Sequence, residues 1–519
     1  MSTSPLHNVA LWTARRAALD GARPALRDAE RALDYAALEA RCARAAGWLA
    51  ERGVRSGDRV ALLLANRTAF LELVLGAARL GAIAVPLNTR LAVPELREQV
   101  DDCAPHVLCH EAALEAAVQR VCEAARRPPP VRLAVGGSPD AYEAALEGAA
   151  PRAVEPASPE DPMLLMYTSG TTGIPKGALL PHRKTLYNAL NAQLFFELTA
   201  RDCVLVPLPL FHSFGLKILA LPALYAGAEV VLQPRFDADL VWRAVGERGA
   251  TFFGGVPTQF RELHEALAAA PPGRYDLSRL RFLFTAGAAI PVDLVRAFEA
   301  RGLVLKQGFG QTETSILCCL DDRDAVRKAG SVGRPVFHAE LRIVRPASLE
   351  GPVAGWEDAA PGETGELVVR GPITMLGYWN RPDATAETLR DGWLRTGDLG
   401  FADEEGFVTL AGRSRDLYIS GGENVYPAQV EAAYAEHPAI REIAVVGVPD
   451  PRWGEVGRAY VVLASGARLD AEALRRFGRE RLAAFKVPRE FVAVESLPRT
   501  VTGKVRKHAL SRGERREPR

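Results

Sequence analysis

Eleven consecutive residues, Tyr167-Thr168-Ser169-Gly170-Thr171-Thr172-Gly173-Ile174-Pro175-Lys176-Gly177, combine what a polyphosphate site needs. Gly170, Gly173 and Gly177 let the backbone approach an anion closely, Thr168, Ser169, Thr171 and Thr172 carry hydroxyls that can donate to phosphate oxygens, and Lys176 adds a positive charge. The spacing G-x-x-x-x-G-K-[ST] is absent, so a triphosphate held here is held by a different loop. A Gly/Thr-rich surface turn is the bland alternative, and it does not explain the lysine and the hydroxyls arriving together after the apolar run Met163 to Met166.

Other segments could also do chemistry. Pro207 to Leu216 sets His212 among Phe211 and Phe214, where a lone histidine would ordinarily be a core residue. Thr285-Ala286-Gly287-Ala288-Ala289 and Gln307-Gly308-Phe309-Gly310-Gln311-Thr312-Glu313 each follow a strand-like run, and the loops at strand ends are where α/β folds hold ligands. Asp398 lies in Trp393 to Leu399, Arg413 ends Ala411-Gly412-Arg413, and Lys504 lies in Pro498 to Val505. Taken singly, each of these charges would read as solvated surface.

Motif after motif, from about residue 20 to residue 510, the chain resembles the adenylate-forming superfamily of acyl-CoA synthetases, peptide-synthetase adenylation domains and beetle luciferases. The resemblance is closest to the fatty or aryl acid CoA ligases. It implies an acid–thiol ligase that joins a carboxylic acid to coenzyme A in two steps, through an acyl-AMP, releasing AMP and pyrophosphate. ATP, Mg2+ and coenzyme A are the implied cofactor and co-substrates.

The resemblance also implies roles for particular residues. Thr168 to Gly173 and Lys176 would hold the phosphates, with Gly287, Ala288, Gln307, Gly308, Phe309 and Thr312 around the adenine end. Phe309 stands where relatives more often have tyrosine, which keeps the stacking face and removes a hydroxyl. Thr172 and Glu313 would meet magnesium, a hard cation that prefers oxygen. Asp398 would accept both ribose hydroxyls, as an acceptor-only carboxylate can, and Arg413 would be a second ribose and phosphate contact. Phe211, His212, Phe214, Gly255, Ala286 and Gly310 would line the acyl pocket, and Lys504 would bridge the carboxylate and the α-phosphate as the catalytic lysine, working with His212, Thr172 and Glu313. Arg415 would be the hinge, and Arg235, Gly421 and Gly422 would approach coenzyme A.

The acid is expected to be an apolar fatty or aromatic one, because Phe211, Phe214, Gly254, Gly255, Val256, Ala286, Ala288 and Gly308, which would line the tunnel, show no charge for a second carboxylate. His212 stands where amino-acid-activating domains place an aspartate, which argues against an amino acid. With no carrier segment after Arg519, coenzyme A is the expected acceptor; a separate carrier protein is the alternative, and a non-catalytic nucleotide-binding module a further one.

The elements that must position these residues are legible in outline. Apolar runs alternate with helical patterns from Arg59 onward: Val60 to Leu64, a helix over Thr68 to Leu80, Ala82 to Leu87, a helix from Val93, then short strands at Val204 to Pro207, Glu229 to Leu232, Thr251 to Phe253, Arg281 to Thr285 and Val304 to Gln307. Near Gly412 the character changes, and beyond it Pro427 can start a helix, Glu442 to Val448 and Arg458 to Leu463 read as strands, and Asp470 can cap a helix reaching about Phe485. The expected fold is α/β: a large multi-subdomain N-terminal α/β domain, residues 1–412, holding ATP and the acyl group, and a small mobile C-terminal α+β domain, residues 413–519, carrying the lysine.

Bulk properties agree. A chain of 519 residues exceeds one ordinary core, and 48% hydrophobic content can fill several. A net charge of +1 argues against a nucleic-acid partner, so the expected partners are small molecules. No run is long and apolar enough to insert in a bilayer, and seven cysteines without a C-x-x-C pair suit a reducing compartment, so a cytoplasmic location is expected. A homodimer is left open.

Overall fold

The computed structural model describes residues 3–168, 175–288, 290–413, 416–420, 423–451, 453–482, 484–500 and 504–511. Two large sheets dominate its first part. One has nine strands, in the order Arg334–Pro335, Ser315–Leu320, Leu305–Gln311, Phe282–Thr285, Phe252–Gly255, Cys203–Val206, Glu229–Leu232, Pro24–Arg27 and Ala32–Asp34. Its interior, from Leu305–Gln311 to Pro24–Arg27, is parallel throughout. These strands are almost continuously apolar and buried, as parallel strands covered on both faces must be.

The second sheet has seven strands, ordered Gly377–Tyr378, Lys176–Pro181, Pro162–Thr168, Ile83–Pro86, Arg59–Leu63, Val107–Glu111 and Val131–Val135. Helix Thr68–Arg79 is buried along its whole length and shares one core with Val60 and Leu62 of this sheet and Val204, Val206 and Val230 of the other. Gly76 lets that helix press on helix Tyr35–Glu51, since a Cβ there would lie 3.0 Å from the Ala45 Cβ. Fully burying each Leu or Phe of this layer stabilises the fold by roughly 1.5–3 kcal/mol, and the two sheets share this one core.

A third sheet is antiparallel: Glu340–Val344, Gly365–Arg370, Trp393–Ala402 and Leu389–Arg390, with Val408–Arg413 also on Trp393–Ala402. The fourth joins Glu423–Val425, Tyr418–Ser420, Gly454–Leu463 and Ile440–Asp450, with Glu490–Ala493 parallel to Gly454–Leu463. Pro427 does open a helix, Pro427–Ala435, and Asp470 does cap one by accepting the Ala473 N–H. That second helix ends at Arg479 rather than near Phe485, and Ala484–Lys486 is a separate 3-10 turn. Gly478 explains the close packing at this end, because a Cβ there would sit 2.0 Å from the Tyr434 hydroxyl.

Candidate active site

The phosphate-loop segment bridges two antiparallel strands of the seven-stranded sheet: Thr168 ends one, Lys176 opens the next, and they are register partners. Thr168 Oγ1 donates to the Lys176 carbonyl at 3.2 Å, which pins the neck of the loop. Ser169, Gly170, Thr171, Thr172, Gly173 and Ile174 themselves lie outside the described residues.

The two-residue strand Gly377–Tyr378 pairs with Lys176–Pro181 and brings a residue that the sequence did not announce. Lys176 Nζ stands 5.3 Å from the centre of the Tyr378 ring, and the Tyr378 hydroxyl donates to Glu313 Oε1 at 2.9 Å. Burial, then the Glu313 carboxylate, push the Tyr378 phenol well above its ordinary pKa, so it stays a donor. Glu313 sits in the turn between Leu305–Gln311 and Ser315–Leu320, closed by a 3.1 Å bond from Gln311 N to Thr314 Oγ1. Its main-chain carbonyl accepts the Met375 N–H at 2.9 Å.

On the same flank, Asp398 and Arg413 face each other across strands Trp393–Ala402 and Val408–Arg413, with Arg413 Nε 3.0 Å from Asp398 Oδ1. Gln311 Nε2 donates to the other Asp398 oxygen and to Thr396 O at 2.9 Å. Asp398 is thus a buried carboxylate held in one orientation by side chains from two other strands. Arg413, expected to open the second domain, is the last residue of a strand in the third sheet.

At the C-terminal ends of the parallel strands, Ala286, Gly287 and Ala288 form a turn in which Gly287 has φ +91, a backbone conformation glycine adopts freely. Thr285 and Gln307 are register partners, both buried, and Thr285 Oγ1 and Gln307 Nε2 have no hydrogen-bond partner among the described residues. Buried polar atoms left unmatched at strand ends are what a ligand site would use. Phe309 and Thr312 lie half-buried on the same hairpin.

The residues expected to line the acyl pocket are closely packed. Phe211 packs on His212 with ring centres 4.6 Å apart, and Phe214 meets Phe284 edge-on at 5.5 Å. Gly254 and Gly308 make room for those rings: a Cβ would lie 2.8 Å from the Phe214 ring at Gly254 and 2.7 Å from the Phe284 ring at Gly308. A Cβ at Gly310 would meet the Ser315 carbonyl at 1.9 Å, and one at Gly255 the Phe260 ring at 3.2 Å. Phe284 is backed by Phe195 and Phe196, and Phe196 in turn by Phe252 and Phe282.

Burial, reinforced by the charges of Arg90 and Lys504, lowers His212 to about 4, and its Nε2 is buried without a partner among the described residues. The ring is neutral at physiological pH. Around Lys504 itself, Thr500 N donates to the Lys504 carbonyl at 2.7 Å and Lys504 N to Thr500 Oγ1 at 3.1 Å. Arg90, exposed in the turn after Ile83–Pro86, was not singled out from the sequence. Arg235 lies in an exposed turn after Glu229–Leu232, and Arg415, Gly421 and Gly422 lie outside the described residues.

His182 is likewise buried and lowered to about 4 by desolvation. A histidine with a folded pKa below its unfolded 6.5 binds fewer protons when folded, so its stabilising share is complete above about pH 6.5 and lost as pH falls towards 4. We expect the melting temperature to drop across that window, and His182→Gln to flatten part of the drop when melting curves are compared between pH 4 and pH 7.

A divalent cation was tested against the donors present. Among the described residues no group of three or more His, Cys, Asp or Glu side chains could hold a metal. The Glu313 carboxylate gives one oxygen to Tyr378, which leaves the other for a hard cation. That fits an ion that arrives with a triphosphate rather than one caged by protein.

Comparison with known proteins gives a consistent result. The AMP-binding enzyme family matches residues 13–379, and its AMP-binding enzyme C-terminal domain matches residues 429–504. The indoleacetate–CoA ligase of Aromatoleum aromaticum is 43% identical over 505 residues, covering 96% of both chains. The feruloyl-CoA synthase of an Amycolatopsis species is 41% identical over 505 residues, covering 96% of this chain and 98% of its own. Among solved structures, the o-succinylbenzoate CoA synthetase of Bacillus subtilis, in complex with its acyl-adenylate intermediate, superposes with a TM-score of 0.86 at 32% identity, covering 100% of this chain and 99% of its own.

Proposed function

The chain belongs to the AMP-binding enzymes and is an acid–thiol ligase forming acyl-CoA, and from that premise we propose that it activates an apolar aromatic acid with ATP and passes the acyl group to coenzyme A. The observation that carries the reading is the convergence of Lys176, Tyr378 and Glu313 with Asp398 and Arg413, beside a neutral His212 that feels the charge of Lys504.

A carboxylate is a poor electrophile because it is an anion with no leaving group, and adenylation supplies one. The acid oxygen attacks the α-phosphorus, pyrophosphate departs, and AMP becomes the leaving group for the thiol. Asp398, fixed by Gln311 and Arg413, binds the ribose hydroxyls. Lys176 and the phosphate-loop residues from Thr168 to Gly173 hold the polyphosphate. Thr172 and Glu313 would hold magnesium, which when bound neutralises phosphate charge. Gly287, Ala288, Gln307, Gly308, Phe309 and Thr312 form the adenine end. Lys504 lies between the two anions and offsets their repulsion, while His212, held neutral, adds no competing charge.

The acyl end is bounded by Phe211, Phe214, Gly255, Ala286 and Gly310, with Phe284 as a wall, and its flat aromatic faces suit a planar acid better than a long flexible chain. Residues 413–519 are proposed to act as the mobile part, pivoting at Arg415 so that Gly421, Gly422 and Arg235 meet coenzyme A.

Products formed from ATP, coenzyme A and a panel of aryl, short, medium and long acids test this by mass spectrometry. We expect aryl-CoA thioesters at rates at least tenfold above those for long-chain acids. Preference for long chains, or no thioester with any acid, would sink the substrate assignment.

A further inference from the structure

Two lysines take no part in the chemistry above. Lys184, near the start of helix His182–Phe196, and Lys217, in the π-helical turn Phe214–Ala220, are both fully buried. Taking an ammonium out of water costs several kcal/mol unless it is well paired. Here both converge on one hydroxyl: Lys184 Nζ donates to Ser315 Oγ at 2.7 Å, and Lys217 Nζ to the same oxygen at 3.1 Å. Burial depresses both, Lys217 to about 7, and the Lys217 charge depresses Lys184 further. A core with no other use for this pair would be more stable with two apolar side chains of the same shape.

What they hold is specific. Ser315 comes two residues after Glu313, at φ +61, a left-handed conformation that costs a non-glycine residue about 1 kcal/mol. Its carbonyl lies against Gly310, so the turn carrying Glu313 cannot relax on that side. Lys184 makes a second bond, to the Ile373 carbonyl at 2.5 Å. Ile373 opens the segment whose Met375 N–H and Tyr378 hydroxyl each reach Glu313 at 2.9 Å. Glu313 is therefore gripped between two stretches of chain, and Lys184 ties those stretches together beneath it.

We infer that Lys184 and Lys217 are positioning residues which, through Ser315 and Ile373, fix where the Glu313 carboxylate stands to receive the divalent ion that accompanies ATP. The inference rests on the functional reading above only for the identity of that ion. It differs from a general packing role because it predicts a defect in metal binding that exceeds any defect in stability or in acid binding.

The test is calorimetric titration of Mn2+ into the full chain saturated with a non-hydrolysable ATP analogue, for the wild type, Lys184→Met, Lys217→Met and Ser315→Gly. Glycine is at ease at φ +61, so Ser315→Gly removes the shared acceptor without disturbing the backbone and carries the test even where a lysine variant does not fold. Expected are Mn2+ affinities at least tenfold weaker in Lys184→Met and Ser315→Gly, with analogue binding in EDTA and acid KM within twofold of wild type. Mn2+ affinities within twofold of wild type in the folded variants overturn the inference. So does a changed acid KM with Mn2+ binding intact, which would assign the pair to the acid pocket instead. A wild type that binds Mn2+ with the analogue but forms no acyl-AMP contradicts the functional reading alone, and the Mn2+ affinities of the variants still decide this one.

Discussion

Lys504→Ala is expected to lose about 10²–10³-fold in the rate of acyl-AMP formation, while thioester formation from synthetic acyl-AMP and coenzyme A changes by less than about threefold. The asymmetry follows from where the ammonium stands. Its charge helps to hold His212 below its ordinary pKa, and its backbone is fixed by the reciprocal bonds of Thr500 and Lys504. In the proposed reaction two anions meet beside it, and a cation between them would stabilise the transition state more than the separated reactants. Once the adenylate exists the repulsion has gone, and the lysine has little left to stabilise. Single-turnover measurements of each half-reaction separate the two. Equal losses in both would mean that Lys504 supports the fold rather than the first step.

Asp398→Ala is expected to reduce kcat/KM for ATP by about 10²–10⁴-fold, the worth of two hydrogen bonds from ribose hydroxyls to a charged acceptor at roughly 1.5–3 kcal/mol each. Asp398 is 6% exposed and orients its two oxygens through Gln311 and Arg413, so the acceptor is already in place before nucleotide arrives. Asp398→Asn keeps the shape and one acceptor and should lose less. Steady-state kinetics with ATP and 2′-deoxy-ATP make the comparison specific: the deoxy analogue should be penalised in the wild type and hardly at all in Asp398→Ala. An undiminished penalty in the variant would remove Asp398 from the ribose.

The parts of the molecule written in local patterns could be read from the sequence. Glu229–Leu232 is a strand over the expected residues, and Arg59–Leu63, Ile83–Pro86 and Phe282–Thr285 lie within a residue or two of their expected bounds, because buried parallel strands are short apolar runs between turns. Helix Thr68–Arg79 was legible for the same reason. What depends on distant pairing was not. Gly377–Tyr378 is a strand only because Leu179 and Ala178 lie beside it, and two residues carry no period. Tyr378, the donor to Glu313, was therefore missed. The antiparallel third sheet was absorbed into an α/β reading. Lys184, flanked by Arg183 and Thr185, has the local context of a solvated face, yet it is buried by segments from around residues 315 and 373. Arg90 lies far from His212 in the chain, so its charge on that ring has no local signature in the sequence.

In the proposed reaction the protein reversibly joins a carboxylate to AMP before any thiol is involved. Exchange of labelled pyrophosphate into ATP, measured without coenzyme A in the presence of an aryl acid, tests it most directly. Exchange is expected to require the acid and a divalent cation and to fall to background in Lys504→Ala. Pyrophosphate exchange absent across a broad panel of acids, or exchange that proceeds equally well without any acid, would contradict it.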